Sequence, residues 1–343
     1  MRTRPLAAAC VALALFAVVP HARAAEAVEK PSLTIAVAGS ATDIDKLAYG
    51  IALQRRYFRD AGIAVENLDL LSGSRALQAL VGGSVDVVEG SYEHTLRMQA
   101  LGVKLTCMAV FARYPGIVMM AVGPRKDTIR TGADLAGRKI GISAPGSAMH
   151  TFAAAIMKKA GVDPGATSFI SVGVGPSAVA AVRTGGELDV LVNVDPVVTD
   201  LERSGDARVI VDSRNGEGAA TAYGGVYPAG CLLVPHDFIA RNPRTAQALT
   251  DAMMRSMKWL QSASVDDIVK TVPKGFYHDE AVYRAALEKN LDLFRWDGLV
   301  TPAMSETVLE AIALLDPRLK AARIDFSTTY DNTLTTRALA KFK

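Results

Sequence analysis

Two stretches of this 343-residue chain carry the same signals in the same order, and that internal repeat constrains the fold most. The first is "LTIAVAGSATDIDKLAYGIALQRRYFRDAGIAVENLDL"; the second is "RKIGISAPGSAMHTFAAAIMKKAGVDPGATSFISV". Each begins with an apolar, β-branched strand, passes through Gly-Ser and enters a helical pattern. The pattern stops at Ala-Gly (Gly62, Gly161), where glycine just past a helix end is a C-cap signal. The likeness continues in "SGSRALQALVGGSVDVVEGS" and "VGPSAVAAVRTGGELDVLVNVDP". At an offset of 103, Ser74 matches Ser177, Gly82-Gly83 match Gly185-Gly186, and Asp86 matches Asp189. Strands alternating with helices predict an α/β fold with mostly parallel sheets covered on both faces. Two copies predict two such lobes.

Residues 1–24 read as a secretory leader: Arg2 and Arg4, the apolar "LAAACVALALFAVV", then Ala22-Arg23-Ala24 as a cleavage site. The apolar run is too short for a membrane anchor, and Cys10 lies near its start, not after it, unlike a lipidated cysteine. "CMAVFARYPGIVMMAVG" is broken by Arg113 and Pro115, so it does not span either. The leader holds three of the 38 basic residues and no acid, which leaves 35 basic against 35 acidic residues in the remainder. That balance gives no sign of nucleic acid as a partner. Cys107 and Cys231 each lie in an apolar stretch, consistent with a disulfide or with two buried thiols. No His, Cys or acidic cluster has metal-ligand spacing, and no metal or cofactor is expected.

Open α/β sheets bind ligands beyond the carboxyl ends of their strands. Two lobes with those ends facing each other would hold a ligand in the cleft between them. "RYFRDAGIAVE", "ALVGGSVDVV", "DLAGRKIGISAPGSA", "AVRTGGELDVLVNVDPVV" and the late "IDFSTTYDNTL" resemble the periplasmic solute-binding proteins of ABC importers for sulfonates, taurine and nitrate. That group includes the thiamine-precursor binding proteins. The resemblance implies a type II periplasmic-binding fold, two lobes joined by two crossover strands, "GIVMMAVGP" and "YGGVYPAGCLLV". Lobe one would be residues 31–122 with 222–262, and lobe two 123–221. Asn242 would cap, and Pro243 open, the helix "NPRTAQALTDAMMRSMKWLQ". Residues 263–343 would be helices lying on lobe one.

The candidate site residues follow from these strand ends. Ser147, with Met149 and His150 behind it, opens a helix whose N–H groups and dipole suit an anion, though a serine there is also an ordinary N-cap. Gly39, Ser40 and Thr42 form the counterpart in the first copy, and Ser72 and Ser74 a third such turn. Glu89 and Ser91 follow one strand, Asn193 and Asp195 the matching one. Both acids could accept hydrogen bonds from an amine, amidine or ring N–H. Asp195 could equally shape the turn before Pro196, and Glu89 could pair with Arg113 or Arg97. Arg113 could hold a sulfonate or carboxylate at two points, and Tyr223 could cover the ligand. Tyr227 reads as core or interlobe packing, and Glu93 with His94 as a solvated helix face.

Neither a G-x-S-x-G elbow nor a phosphate-binding loop appears. The expected function is therefore capture, not catalysis: hinge closure around a small organic anion or zwitterion, and delivery to a membrane permease by a periplasmic monomer. A pyrimidine of the thiamine-precursor type is the alternative cargo. A sensory ligand-binding protein, or an enzyme on the same fold, is the alternative of another class.

Overall fold

The computed structural model describes residues 27–184, 186–294 and 297–342. The leader and Gly185 of the repeat lie outside the described residues. Among the described residues, ten strands make two five-stranded sheets. The first contains β1 (Ser32–Val37), β2 (Ala64–Asp69), β3 (Val87–Ser91), β4 (Leu105–Val110) and, much later in the chain, β10 (Gly230–Pro235). The second contains β5 (Val118–Val122), β6 (Lys139–Ile142), β7 (Ser168–Ser171), β8 (Val190–Asn193) and β9 (Ala207–Asp212). Their orders are β2-β1-β3-β10-β4 and β7-β6-β8-β5-β9.

The two sheets are built alike. In each, four strands point the same way, and one strand is antiparallel to its neighbours: β10 between β3 and β4, β5 between β8 and β9. The antiparallel strand comes each time from the chain that has just crossed from the other sheet. These are the two crossovers expected from the sequence, and the fold is the type II periplasmic-binding arrangement. Strands β3, β4, β5 and β8 are almost wholly buried, as near-continuous apolar runs between helical layers should be. The edge strand β2 is charged and exposed, which discourages pairing with another chain. Gly62 and Gly161 take the left-handed conformation (φ 82° and 75°) just past their helices, where a Cβ would be strained.

Cys107 of β4 and Cys231 of β10 form a disulfide, with Cα atoms 5.9 Å apart, so the pairing left open by the sequence is made. The helix Pro243–Leu260 packs beneath the first sheet, with Ser256 Oγ donating to Ala48 O at 2.6 Å. Asn242 holds the N-cap position of this helix, its carbonyl accepting from Ala246 N, but its side chain makes no capping bond. Its side chain donates to Phe238 O at 3.2 Å, closing the end of the preceding helix His236–Arg241 instead.

The tail is not confined to the first sheet. Helix Asn332–Lys341 lies on Pro243–Leu260 through Lys341–Asp251 (2.7 Å), but helix Glu280–Asn290 reaches the second sheet's side. There Lys289 pairs with Glu202 (2.8 Å) and Asn290 Nδ2 donates to Asp195 (2.6 Å). A buried asparagine at a helix end needs a partner, and the second sheet supplies it. Among the described residues, no helix is long and apolar enough to cross a membrane.

Candidate functional site

The carboxyl ends of both sheets converge on one cavity of about 50 Å³. Ala38 and Ser91, at the ends of β1 and β3, form one wall. Ser143 and Val194, after β6 and β8, form the other. The crossovers close the base with Pro115, Ile117 and Gly230.

Helix Ala148–Lys159 begins at this cavity. Its N-cap Ser147 accepts the His150 N–H at 3.3 Å. The sequence requires such a cap, because a helix start leaves its first amides without partners in the helix. Ala148 and Met149 then stand at the cavity wall as first-turn donors on a positive helix end. Thus Ser147 is both cap and wall.

The polar end of the cavity comes from residues far apart in the chain. Asp45 and Lys46 lie in the short 3-10 turn Ile44–Lys46 that follows β1. Lys46 Nζ stands 3.1 Å from Asp45 Oδ2 and 3.3 Å from Glu89 Oε1. Strand alternation puts Glu89 on the same face of β3 as Ser91, one layer deeper. Glu89 is fully buried, and burial pushes its carboxyl up to about 7 although the Lys46 ammonium pulls the other way. Burial also works against the charged form of Lys46, but Asp45 and Glu89 outweigh it and hold the ammonium above its usual range. His94, 1 % exposed, is driven down to about 4 by burial, so it is neutral near pH 7. Asp45 Oδ1, Ser91 Oγ and both ring nitrogens of His94 find no hydrogen-bond partner among the described residues. The same holds for both Glu89 oxygens, whose contact with Lys46 is an ion pair. Buried polar atoms are normally paired, so this concentration around one cavity is the mark of a site that expects an occupant.

A second buried network ties the sheets together beside the cavity. Glu93, on helix Glu93–Ala100 of the first sheet, accepts from Thr151 Oγ1 of the second at 2.9 Å and from Tyr227 Oη at 2.5 Å. Arg97 also donates to Thr151 Oγ1, at 3.0 Å. Glu93 and His94 are therefore buried, and the solvated helix face expected from their polarity is corrected. The first turn of this helix faces the other sheet, not water. Replacing Thr151 with Val should cost about 1 kcal/mol by stripping a donor from a buried carboxylate, whereas Thr151→Ser should be nearly neutral. Urea-unfolding midpoints of the two variants check this.

Ser91, Ser147 and Met149 line the cavity, with Glu89 reaching it through Lys46. The remaining expected residues lie elsewhere. Asp195 is a structural anchor: its carboxylate accepts from Arg214 (3.0 Å), Asn290 (2.6 Å) and the Thr199 N–H (2.8 Å). Asn193 is buried and bonds to its own turn, accepting from Val194 N. Ser40 donates to Asp69 (2.8 Å) and lies 3.0 Å from Thr42, while the Gly39 turn packs on Asp43, so this corner bonds to itself. Ser72 caps helix Gly73–Val81, and Ser74 bonds to Ser72; only Gly73 between them meets the cavity. His150 accepts from Gly146 N and sets its ring edge on Phe169. Arg113 lies over the Tyr114 ring at 5.1 Å, away from Glu89. Tyr223 stacks on Tyr227 at 3.9 Å and packs the interface.

Asp45, Lys46 and His94 were missed. A signal existed for the first two: three charges, Asp43, Asp45 and Lys46, crowd the turn after an apolar strand.

Comparison with known proteins agrees with this architecture. A protein of Bordetella bronchiseptica RB50 is 41% identical in a solved structure with TM-score 0.88, over 92% of this chain and 99% of that one. The alkanesulfonate-binding protein SsuA from Xanthomonas axonopodis pv. citri, bound to MOPS, is 19% identical with TM-score 0.65, over 89% and 99% of the two chains. The desulfurization enzyme DSZB is 16% identical with TM-score 0.59, over 90% and 99%. No curated protein sequence matches the chain at a significant level. The family model described as NMT1/THI5 like matches residues 45–263, a span that holds Lys46, Glu89, His94 and the helix start at Ser147. The chain belongs to the NMT1/THI5-like family.

Proposed function

We propose that this chain is the substrate-binding component of an ABC importer, taking up a small organic anion or zwitterion in the periplasm and handing it to a permease. The observation that carries this reading is the cavity between the two sheets, ringed by buried polar atoms without partners. Helix Ala148–Lys159 offers positive potential to an acidic group. In this reading residues 31–110 with 230–262 form one lobe and 118–212 the other, since β5 belongs to the second sheet and the expected boundary at 122 moves back to the crossover. They rotate about the crossovers at 111–117 and 213–229, and the Glu93–Thr151 contact makes and breaks as they do.

A thermal-shift screen over sulfonates, nitrate, aromatic carboxylates and pyrimidines should find a stabilising solute, because binding to the native state raises stability by mass action. Small-angle scattering with that solute should show a smaller radius of gyration. A stabilising solute that leaves the radius unchanged would overturn hinge closure. Mass spectrometry of the exported protein should give an N-terminus just after Ala24.

A further inference from the structure

We infer that the polar end of the cavity is a subsite for a protonated nitrogen, an ammonium or amidinium group of the solute, received by Asp45, Ser91 and the imidazole of His94, with the Glu89 carboxylate behind Lys46. This rests on the binding-protein reading above and goes beyond it in naming the group that decides selectivity. The charges at this end do not balance. One ammonium, Lys46, faces two carboxylates and is already engaged with both, at 3.1 and 3.3 Å. Asp45 Oδ1 and both Glu89 oxygens remain without a hydrogen bond, and all three are acceptors when ionised. Ser91 Oγ and one nitrogen of neutral His94 add acceptors. Gly73 lets the imidazole in, because a Cβ there would lie 2.7 Å from His94 Nε2. A simple anion placed among these groups meets like charge and lone pairs. A cation with several N–H groups satisfies them. The solute's acidic group, where it has one, goes to the opposite end, at Ala148 and Met149.

The subsite also makes binding depend on pH. Glu89 is faced by Lys46 and Asp45 from the turn, by Tyr49 of the following helix and by Asp69 at the end of β2. On the His94 side stand Glu93 and Arg97. With Glu89 at about 7, a cation binds the ionised form and displaces the proton, so its affinity rises with pH.

Thermal shift at pH 6 and pH 8 with matched probes tests this: taurine against ethanesulfonate, benzamidine against benzoate, and nitrate alone. The nitrogen-bearing members should raise the melting temperature more than their partners, and more at pH 8 than at pH 6. Glu89→Gln should weaken them at least tenfold and abolish the pH effect; Asp45→Asn, which leaves Glu89 and Lys46 paired, should weaken them without abolishing it. If ethanesulfonate or benzoate stabilises as well as its counterpart, or nitrate as well as taurine, the subsite is wrong while the binding-protein reading stands. If neither taurine nor benzamidine stabilises at either pH, the subsite is likewise overturned. The failure of hinge closure is read separately, from scattering with whichever probe binds.

Discussion

Reduction of the Cys107–Cys231 disulfide is expected to cost about 5 kcal/mol of stability, on the chain-entropy estimate for a loop of this length. The bond spans 124 positions. That loop contains all of β5 to β9, the whole second sheet. The two cysteines sit where the chain leaves the first sheet and where it returns, on the neighbouring strands β4 and β10. The cross-link thus ties the roots of both crossovers and pre-pays the closure of the long excursion between them. Both cysteines are buried, so in the native state the bond resists reductant, and the effect is read after unfolding. Urea titration with and without dithiothreitol should show a large fall in midpoint at similar slope. The double Cys107→Ser, Cys231→Ser variant should reproduce it. A shift below about 1 kcal/mol would mean that the unfolded chain keeps these strands together by other contacts.

Local signals were the legible ones. Ser72 and Ser147 cap their helices and Gly62 and Gly161 end theirs, because each such interaction is satisfied within a few residues. The repeated strand-helix order announced two sheets for the same reason. The site was only partly legible, since its decisive contacts join distant segments. Lys46 needs Glu89 opposite it, and nothing local in "GSATDIDK" says that the third charged side chain turns inward. Asp195 and Glu89 both lie near the carboxyl ends of corresponding strands, but at the offset of 103 Glu89 matches Val192, not Asp195, and their surroundings differ. Asp195 accepts three hydrogen bonds, from Arg214, Asn290 and the Thr199 N–H, whereas the Glu89 oxygens accept none and share Lys46 as ion partner with Asp45. The repeat predicted corresponding strand ends, and the unrelated segments packed against each copy decide what the acids there meet. His94 was misplaced because polarity was taken for exposure. A polar helix start buries readily when it faces another sheet's polar network.

Two buried groups in this site should give the protein opposed responses to pH that hide each other. His94 titrates at about 4 in the native state against an ordinary 6.5. Its contribution is complete above pH 6.5 and is lost as pH falls through 4, since the unfolded chain then takes up a proton the native state refuses. Glu89 titrates at about 7 against an ordinary 4.5. Its contribution is complete below pH 4.5 and is lost as pH rises through 7, because the native state must then bury an ionised carboxylate. Each shift is worth about 3 kcal/mol. Between pH 4.5 and 6.5 the slopes are opposite and nearly equal, so the wild-type curve is flat as far as these two groups go. Single variants should uncover them. Glu89→Gln leaves His94 alone and should lose about 3 kcal/mol relative to wild type between pH 6.5 and 4.5, the part of the swing that Glu89 had offset. His94→Gln leaves Glu89 alone and should lose a similar amount in the other direction, as pH rises through the same window. The sign of each slope is diagnostic, because a constant offset from altered packing or from the freed Lys46 moves a curve without tilting it. Urea-unfolding free energies at half-unit pH steps would show the crossing; curves of both variants parallel to wild type would mean that water reaches these groups in the native cavity.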